Sequence, residues 1–163
     1  MIQGALQSVL LATGLMKPSI EVPDLTDQKF DYRGQFTDFK GNTIDLQSYR
    51  GKTVFINLWA SWCGPCRAEM PHISDLYDAV KDTPNLEFLM IGLDENKQKS
   101  QDFMEGKSWT FPVVHASYGL NESLQSESIP TTLVVNKEGK IVFYHQGMSN
   151  FNTDEFKAFL REQ

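Results

Sequence analysis

Val54-Phe55-Ile56-Asn57-Leu58-Trp59-Ala60-Ser61-Trp62-Cys63-Gly64-Pro65-Cys66 is the stretch from which the fold can be read. Val54 to Trp59 is an apolar run of strand length, entered from the turn-like Ser48-Tyr49-Arg50-Gly51-Lys52. Cys63 and Cys66, the only cysteines of the chain, follow it directly. A Cys-x-x-Cys between the end of a buried strand and the start of a helix reads as a thiol–disulfide redox motif. The first turn of a helix offers N–H groups without intrahelical partners and the positive end of the macrodipole. Both favour a thiolate over a thiol. Cys63 comes first and lies nearest that end, which makes it the expected nucleophile. Cys66 sits one turn deeper, where it can resolve a mixed disulfide formed by Cys63.

The pair has three blander readings. A structural bridge is disfavoured, because a disulfide spanning two residues closes almost no loop and constrains the unfolded chain little. Half of a zinc site shares the spacing, but structural zinc takes four ligands and there is no second cysteine pair. His72 is near in sequence, while His115 and His145 fall in strand-like runs, so no metal ligand is assigned. Two inert core cysteines conflict with the Gly64-Pro65 between them, which suits a helix start.

At 163 residues and 40% hydrophobic content, the chain suits one domain with an ordinary core. A net charge of −6 argues against a nucleic-acid partner, which favours a basic stripe. Cysteine usage leaves the redox compartment open. Ile2, Leu6, Val9, Leu10 and Thr13 fall near helical spacing, so a short amphipathic helix is expected, ended by Gly14 and followed by Lys17-Pro18. Its apolar run is far below the roughly 20 residues of a membrane span. It also lacks the basic start and small-residue cleavage site of a signal peptide. The segment docks on the domain or on a neighbouring molecule; alternatively, Met1 follows a membrane tether that this chain does not include.

Residues 1–34 read as this helix plus an extended leader, with Ser19 to Tyr32 polar and Asp-rich, and residues 35–163 read as the folded domain. Gln35 to Phe39 and Thr43 to Leu46 alternate around Lys40-Gly41-Asn42, a hairpin signal. The helix from Gly64 to about Lys81 contains Pro71, which removes a hydrogen bond and should bend it near His72. Leu86 to Gly92 is a second buried strand, Asn96 to Gly106 a helix, Phe111 to His115 a short strand, and Tyr118 to Leu124 a weaker helix. Thr131–Val135 and Lys140–Tyr144 flank Asn136-Lys137-Glu138-Gly139 as a hairpin. Thr153 to Arg161 is a terminal helix capped by Thr153 or Asn152. Strand–helix–strand units followed by a hairpin and a helix give an α/β sandwich with a mixed sheet.

Taken together, these motifs resemble the thioredoxin-like superfamily. Phe55 to Arg67 is similar to its active-site strand and turn, Pro71 to its helix-kinking proline, and Ile129-Pro130-Thr131-Thr132 to its cis-proline loop opposite the cysteines. The resemblance extends over Gln35 to Arg161. Cys66-Arg67-Ala68-Glu69-Met70-Pro71, the extra hairpin before the first long strand, and the insertion between Gly92 and Pro130 shift it to the TlpA/ResA-like branch. The resemblance implies a thioredoxin-like sandwich, its mixed central sheet flanked by helices, with an N-terminal hairpin and an inserted helix–strand segment. It implies a redox-active Cys63–Cys66 disulfide with no further cofactor, and substrate contacts at Trp62, Gly64, Pro65, Ile129, Pro130 and Thr131. It also implies a bacterial cell-envelope location, on the outer face of the cytoplasmic membrane or in the periplasm. There the branch reduces protein disulfides, often in cytochrome c maturation, with electrons from a membrane or soluble thiol donor. A cytoplasmic site stays open from the residues alone.

Thioredoxin itself has a buried aspartate where this chain has Asn57, and an amide takes no proton at neutral pH. Glu69, three residues after Cys66, lies on a neighbouring helical face and can accept the Cys66 proton directly or through water. Spacing alone leaves a solvated helix glutamate as an equal reading, and the resemblance favours the catalytic one. Trp62 reads as a substrate-contacting aromatic or as packing, Trp59 as core, Arg67 as a solvated helix residue, and the three histidines as surface or partly buried. Two other functions compete with disulfide reduction. A peroxidase of the peroxiredoxin type normally places its cysteine in Pro-x-x-x-Thr-x-x-Cys, whereas Ala60-Ser61-Trp62 precedes Cys63 here. A thioredoxin-like module that binds a metal or a thiol protein without turnover is the other. No nucleotide fingerprint points to direct use of a nicotinamide cofactor.

Overall fold

Alternation along one strand sets the two faces of the molecule. The computed structural model describes residues 7, 9–11, 13–18 and 28–163. The central strand β3, Thr53–Trp59, is buried along its whole length. Its odd residues Phe55 and Trp59 enter one apolar cluster, and its even residues Val54, Ile56 and Leu58 enter another. Period-2 geometry therefore sends Asn57 to the Phe55–Trp59 face. That placement decides which elements can meet its amide.

Around β3 the sheet has the order β2-β1-β5-β4-β3-β6-β7. Its other strands are β1 (Gln35–Asp38), β2 (Thr43–Asp45), β4 (Leu86–Gly92), β5 (Val113–Ala116), β6 (Thr131–Val135) and β7 (Ile141–Gln146). β3, β4 and β5 run parallel, and the remaining pairings are antiparallel. Helix α1 (Gly64–Val80) joins β3 to β4, α2 (Lys97–Met104) joins β4 to β5, and α3 (Asp154–Glu162) ends the chain. Met70, Ile73 and Leu76 of α1 and Phe156 and Leu160 of α3 pack on the Phe55–Trp59 face. The opposite face is covered by Phe30, Tyr32, Leu46 and Leu124. Each large side chain fully buried in this way contributes roughly 1.5–3 kcal/mol of transfer free energy.

The expected hairpins form, with Gly41 at φ 86° in the first. Thr153 caps α3 through its hydroxyl, and α1 runs through Pro71. Two expectations change. The helix expected from Tyr118 shrinks to a single 3-10 turn, Glu122–Leu124. Asn121 is the reason: its Oδ1 caps Leu124, while its Nδ2 donates to the Asp31 and Arg33 carbonyls, both at 2.7 Å. These tertiary bonds outweigh a weak local preference. The strand expected from Phe111 begins at Val113, because Pro112 has no N–H to donate and contributes only its carbonyl, which accepts from Met90 N at 3.1 Å.

At the N-terminal end, residues 7 and 9–11 are helical and Gly14 at φ 71° turns the chain. Ile2, Leu6 and leader residues 19–27 lie outside the described residues. Gln28 to Phe30 run beside the β6–β7 hairpin, with Phe30 N donating to Gly139 O. No described helix is long and apolar enough to cross a membrane.

Candidate active site

The chain leaves β3 at Trp59 and turns back on itself at once. Cys63 N donates to Ala60 O at 3.1 Å, which closes the turn, and Arg67 N donates to Cys63 O to open α1. Cys63 is the N-cap residue, its Sγ accepting from Cys66 N at 3.2 Å. Pro65 sits in the first turn, where a missing N–H costs nothing. Cys63 and Cys66 are joined in a disulfide, their Cα atoms 5.3 Å apart. Cys63 retains 5% exposure and Cys66 none, so an approaching group meets Cys63 first. Trp62 is 69% exposed on the rim, beside exposed Gly64 and half-buried Pro65.

The facing wall is the loop before β6. The Ile129–Pro130 bond is cis, and Cys63 Sγ lies 3.8 Å from Ile129 O. Ile129 is half-buried and Pro130 buried. Thr131 differs from the expectation of a substrate contact. It is fully buried, and its hydroxyl is engaged within the loop, donating to Ser128 O and sharing a bond with Ser126 Oγ. It shapes the wall and offers a substrate no side chain.

Glu69 is not solvated. It lies on the buried face of α1 with Cys66 one turn before it, fully enclosed. Asn57 Nδ2 donates to its Oε1 at 2.8 Å, and Ser149 N donates to its Oε2 at 3.2 Å. Asn57 also donates to Thr132 Oγ1 at 2.9 Å, its register partner on β6. The helix thus brings a carboxyl against the strand at Asn57. Burial pushes the Glu69 pKa up to about 8 against the opposing pull of its two hydrogen bonds. No sequence signal marked Ser149, which a loop after Gly147 delivers to the site.

A second buried cluster also escaped the sequence reading. Asp94 accepts from Ser61 N at 2.9 Å, from Ser61 Oγ at 2.6 Å and from Ser100 Oγ. His115 Nε2 shares a 2.9 Å bond with the same Ser100 hydroxyl. The cluster pins the residue two before Cys63. Burial acts to raise the Asp94 pKa, but the Ser100 and Ser61 donors together outweigh it and hold the carboxylate below its usual value. His115 is buried, not surface, and burial lowers its pKa. A Cβ on Gly92 would overlap the His115 ring, so β4 must carry glycine there. His72 and His145 are half-buried, and exposed Arg67 lies over the Phe103 ring at 5.2 Å.

A parallel-centred sheet with a Cys-x-x-Cys at the first turn of its leading helix and a cis-proline loop against it defines a thioredoxin-like protein. Comparison with known proteins narrows the class. Residues 18–144 match the AhpC/TSA family, and the chain belongs to that family. It is 33% identical over 129 residues to the thiol-disulfide oxidoreductase ResA of Halalkalibacterium halodurans, covering 77% of this chain and 72% of that one. It is 37% identical over 107 residues to ResA of Geobacillus kaustophilus, covering 64% of this chain and 60% of that one. Among solved structures it resembles StoA from Bacillus subtilis, with a TM-score of 0.62, 26% identity, and coverage of 78% of this chain and 92% of that one. The chain is a thiol–disulfide oxidoreductase of thioredoxin-like fold.

Proposed function

We propose that the chain reduces disulfides in protein substrates, with Cys63 as nucleophile, Cys66 as resolving thiol and Glu69 as proton acceptor. The observation that carries this reading is a buried carboxyl with pKa about 8 one turn from Cys66, behind a disulfide whose outer sulfur borders the Ile129 carbonyl. In the reduced protein the Cys63 thiolate attacks one sulfur of a substrate disulfide. The S–S bond breaks, one substrate sulfur leaves as thiolate, and a mixed disulfide forms on Cys63. Glu69 in its ionised form, whose fraction grows as pH rises toward 8, takes the Cys66 proton. The Cys66 thiolate attacks the Cys63 sulfur, expels the second substrate sulfur as a thiolate and closes the Cys63–Cys66 disulfide.

Matching of acidities supports Glu69. A free thiol titrates near 8.5, so a carboxyl at about 8 takes its proton almost without penalty, whereas an ordinary carboxylate is several units too weak a base. A thiol donor, membrane-bound or soluble, restores the dithiol with two electrons, and no other cofactor is needed. Trp62, Gly64, Pro65 and the Ile129–Pro130 loop form the substrate rim. An extended substrate strand can pair with the Ile129 backbone there. The names of the ResA relatives and the branch resemblance support work in the bacterial cell envelope, with apocytochrome c as a substrate.

Trapping tests the reading. Cys66→Ser should accumulate mixed disulfides on Cys63 with cell-envelope proteins, and Cys63→Ser should accumulate none. Turnover of peroxide by the purified protein, with no disulfide exchange, would overturn it in favour of a peroxidase.

A further inference from the structure

The N-terminal segment closes over the loop that holds Glu69. Where it is described, Thr13 N donates to Val9 O and Gly14 N to Leu11 O, and Leu11 is fully buried. Three bonds fasten it to the domain. Asn150 Nδ2 donates to Leu11 O at 3.1 Å, Asn150 N to Met16 O at 2.8 Å, and Ser149 Oγ to Met16 O at 3.0 Å. The backbone N–H of the same Ser149 donates to Glu69. One buried residue thus faces the segment with its hydroxyl and the acid with its amide. The near end of the segment reaches the cysteines: Gln7 Oε1 lies 3.9 Å from where a Cβ on Gly64 would stand.

We infer that this segment is a positioning strap for Glu69: by seating the Leu11 and Met16 carbonyls on Asn150 and Ser149, it fixes the Ser149 amide on the acid and keeps water away from it. The inference deepens, and for its effect on turnover rests on, the proton-acceptor role of Glu69. Glu69 shares α1 with Cys66 and accepts from Asn57 on β3 and Ser149 in the loop; Thr132 on β6 meets Asn57, and His145 on β7 lies opposite Thr132. Burial lowers the His145 pKa, so it is neutral where Glu69 titrates. Desolvation is the largest influence on Glu69, and the Ser149 amide is a smaller one acting the other way. Release of the strap admits water and removes that amide, and the larger influence decides the direction. Glu69 becomes more acidic.

Leu11→Asp in the full chain forces a charge into the strap's buried anchor and leaves every residue from 28 to 163 as it is. Three readouts are taken: hydrogen exchange at Thr13, Gly14 and Asn150, titration of the Glu69 carboxyl by carbon-13 NMR, and the pH profile of mixed-disulfide resolution. The amides should lose protection and the Glu69 midpoint should fall from about 8 by about one unit or more, with the resolution profile moving alongside. Ser149→Ala removes the hydroxyl bond to Met16 but keeps the amide, and should shift the midpoint the same way by less. An unchanged midpoint with the amides released overturns the strap, as does a strap that stays protected in Leu11→Asp. If Leu11→Asp does not fold, Leu11→Ala and Ser149→Ala decide by the same criteria. Wild-type resolution in Glu69→Gln would end the base role alone, since the carboxyl midpoint still judges the strap.

Discussion

Glu69 and Cys66 share one face of α1 a single turn apart, and their chemistry depends on which of them holds the proton. Glu69→Gln keeps the shape and the Asn57 contact and removes the proposed proton acceptor. Resolution of the mixed disulfide should slow about 10²-fold or more, the scale of a lost general base, and its pH dependence near 8 should vanish. Attack by Cys63 should be nearly unchanged, which stopped-flow measurement of each step can separate. Cys63→Ser should abolish insulin reduction, and appreciable residual activity would remove Cys63 from its role. These residues were legible because spacing on one helix is local: Cys63, Cys66 and Glu69 are fixed relative to one another by 3.6 residues per turn. Ser149 was not legible. It meets Glu69 across 80 residues of sequence, and only the packing of the β7–α3 loop brings it there.

Between β3 and α1 the loop must hold Cys63 steady with few contacts of its own, and Asp94 supplies the anchor from the β4–α2 connection. Three donors converge on one carboxylate there. Asp94→Ala strands them, and each buried unsatisfied donor costs about 1–3 kcal/mol. We expect a drop in stability of at least about 2 kcal/mol by urea unfolding, and a larger loss in kcat than the stability loss explains. Asp94→Asn should retain part of both, because its Oδ1 still accepts. Wild-type kcat in folded Asp94→Ala would show that the anchor is structural only. Element types along the chain were mostly legible, because β3, β4 and the α1 face carry unbroken periodic signals. The exceptions are physical. Asn121 trades a helix for bonds to residues 31 and 33, and His115 reads as an ordinary strand residue until β5 lies beside β4 and α2.

At the scale of the whole molecule, the buried acid makes stability depend on pH in a sense opposite to most carboxylates. Glu69 titrates at about 8 in the folded protein against 4.5 for an unperturbed glutamate. Between these values the native state keeps a proton that the unfolded chain has released, so stability falls as pH rises through the window, by roughly 1.4 kcal/mol per unit. The fall is complete above pH 8, where both states are ionised. Other groups act on the acid side. Asp94, held below its usual value, stabilises the fold above pH 3.8 and loses that contribution as pH drops. His115 and His145, partly desolvated and neutral, lose theirs as pH drops below 6.5. All three are common to the wild type and Glu69→Gln, and they largely cancel in the difference between the two. That difference should therefore isolate Glu69. With the disulfide intact, Glu69→Gln should gain on the wild type steadily from pH 4.5 to about 8, by a few kcal/mol in total, and then hold constant. Urea midpoints at one-unit intervals measure it. Parallel curves across the window would mean that Glu69 ionises in the native protein as it does in the unfolded chain. Water would then already reach the carboxyl, and neither its role as a matched base nor the sealing of its site by the N-terminal segment would stand.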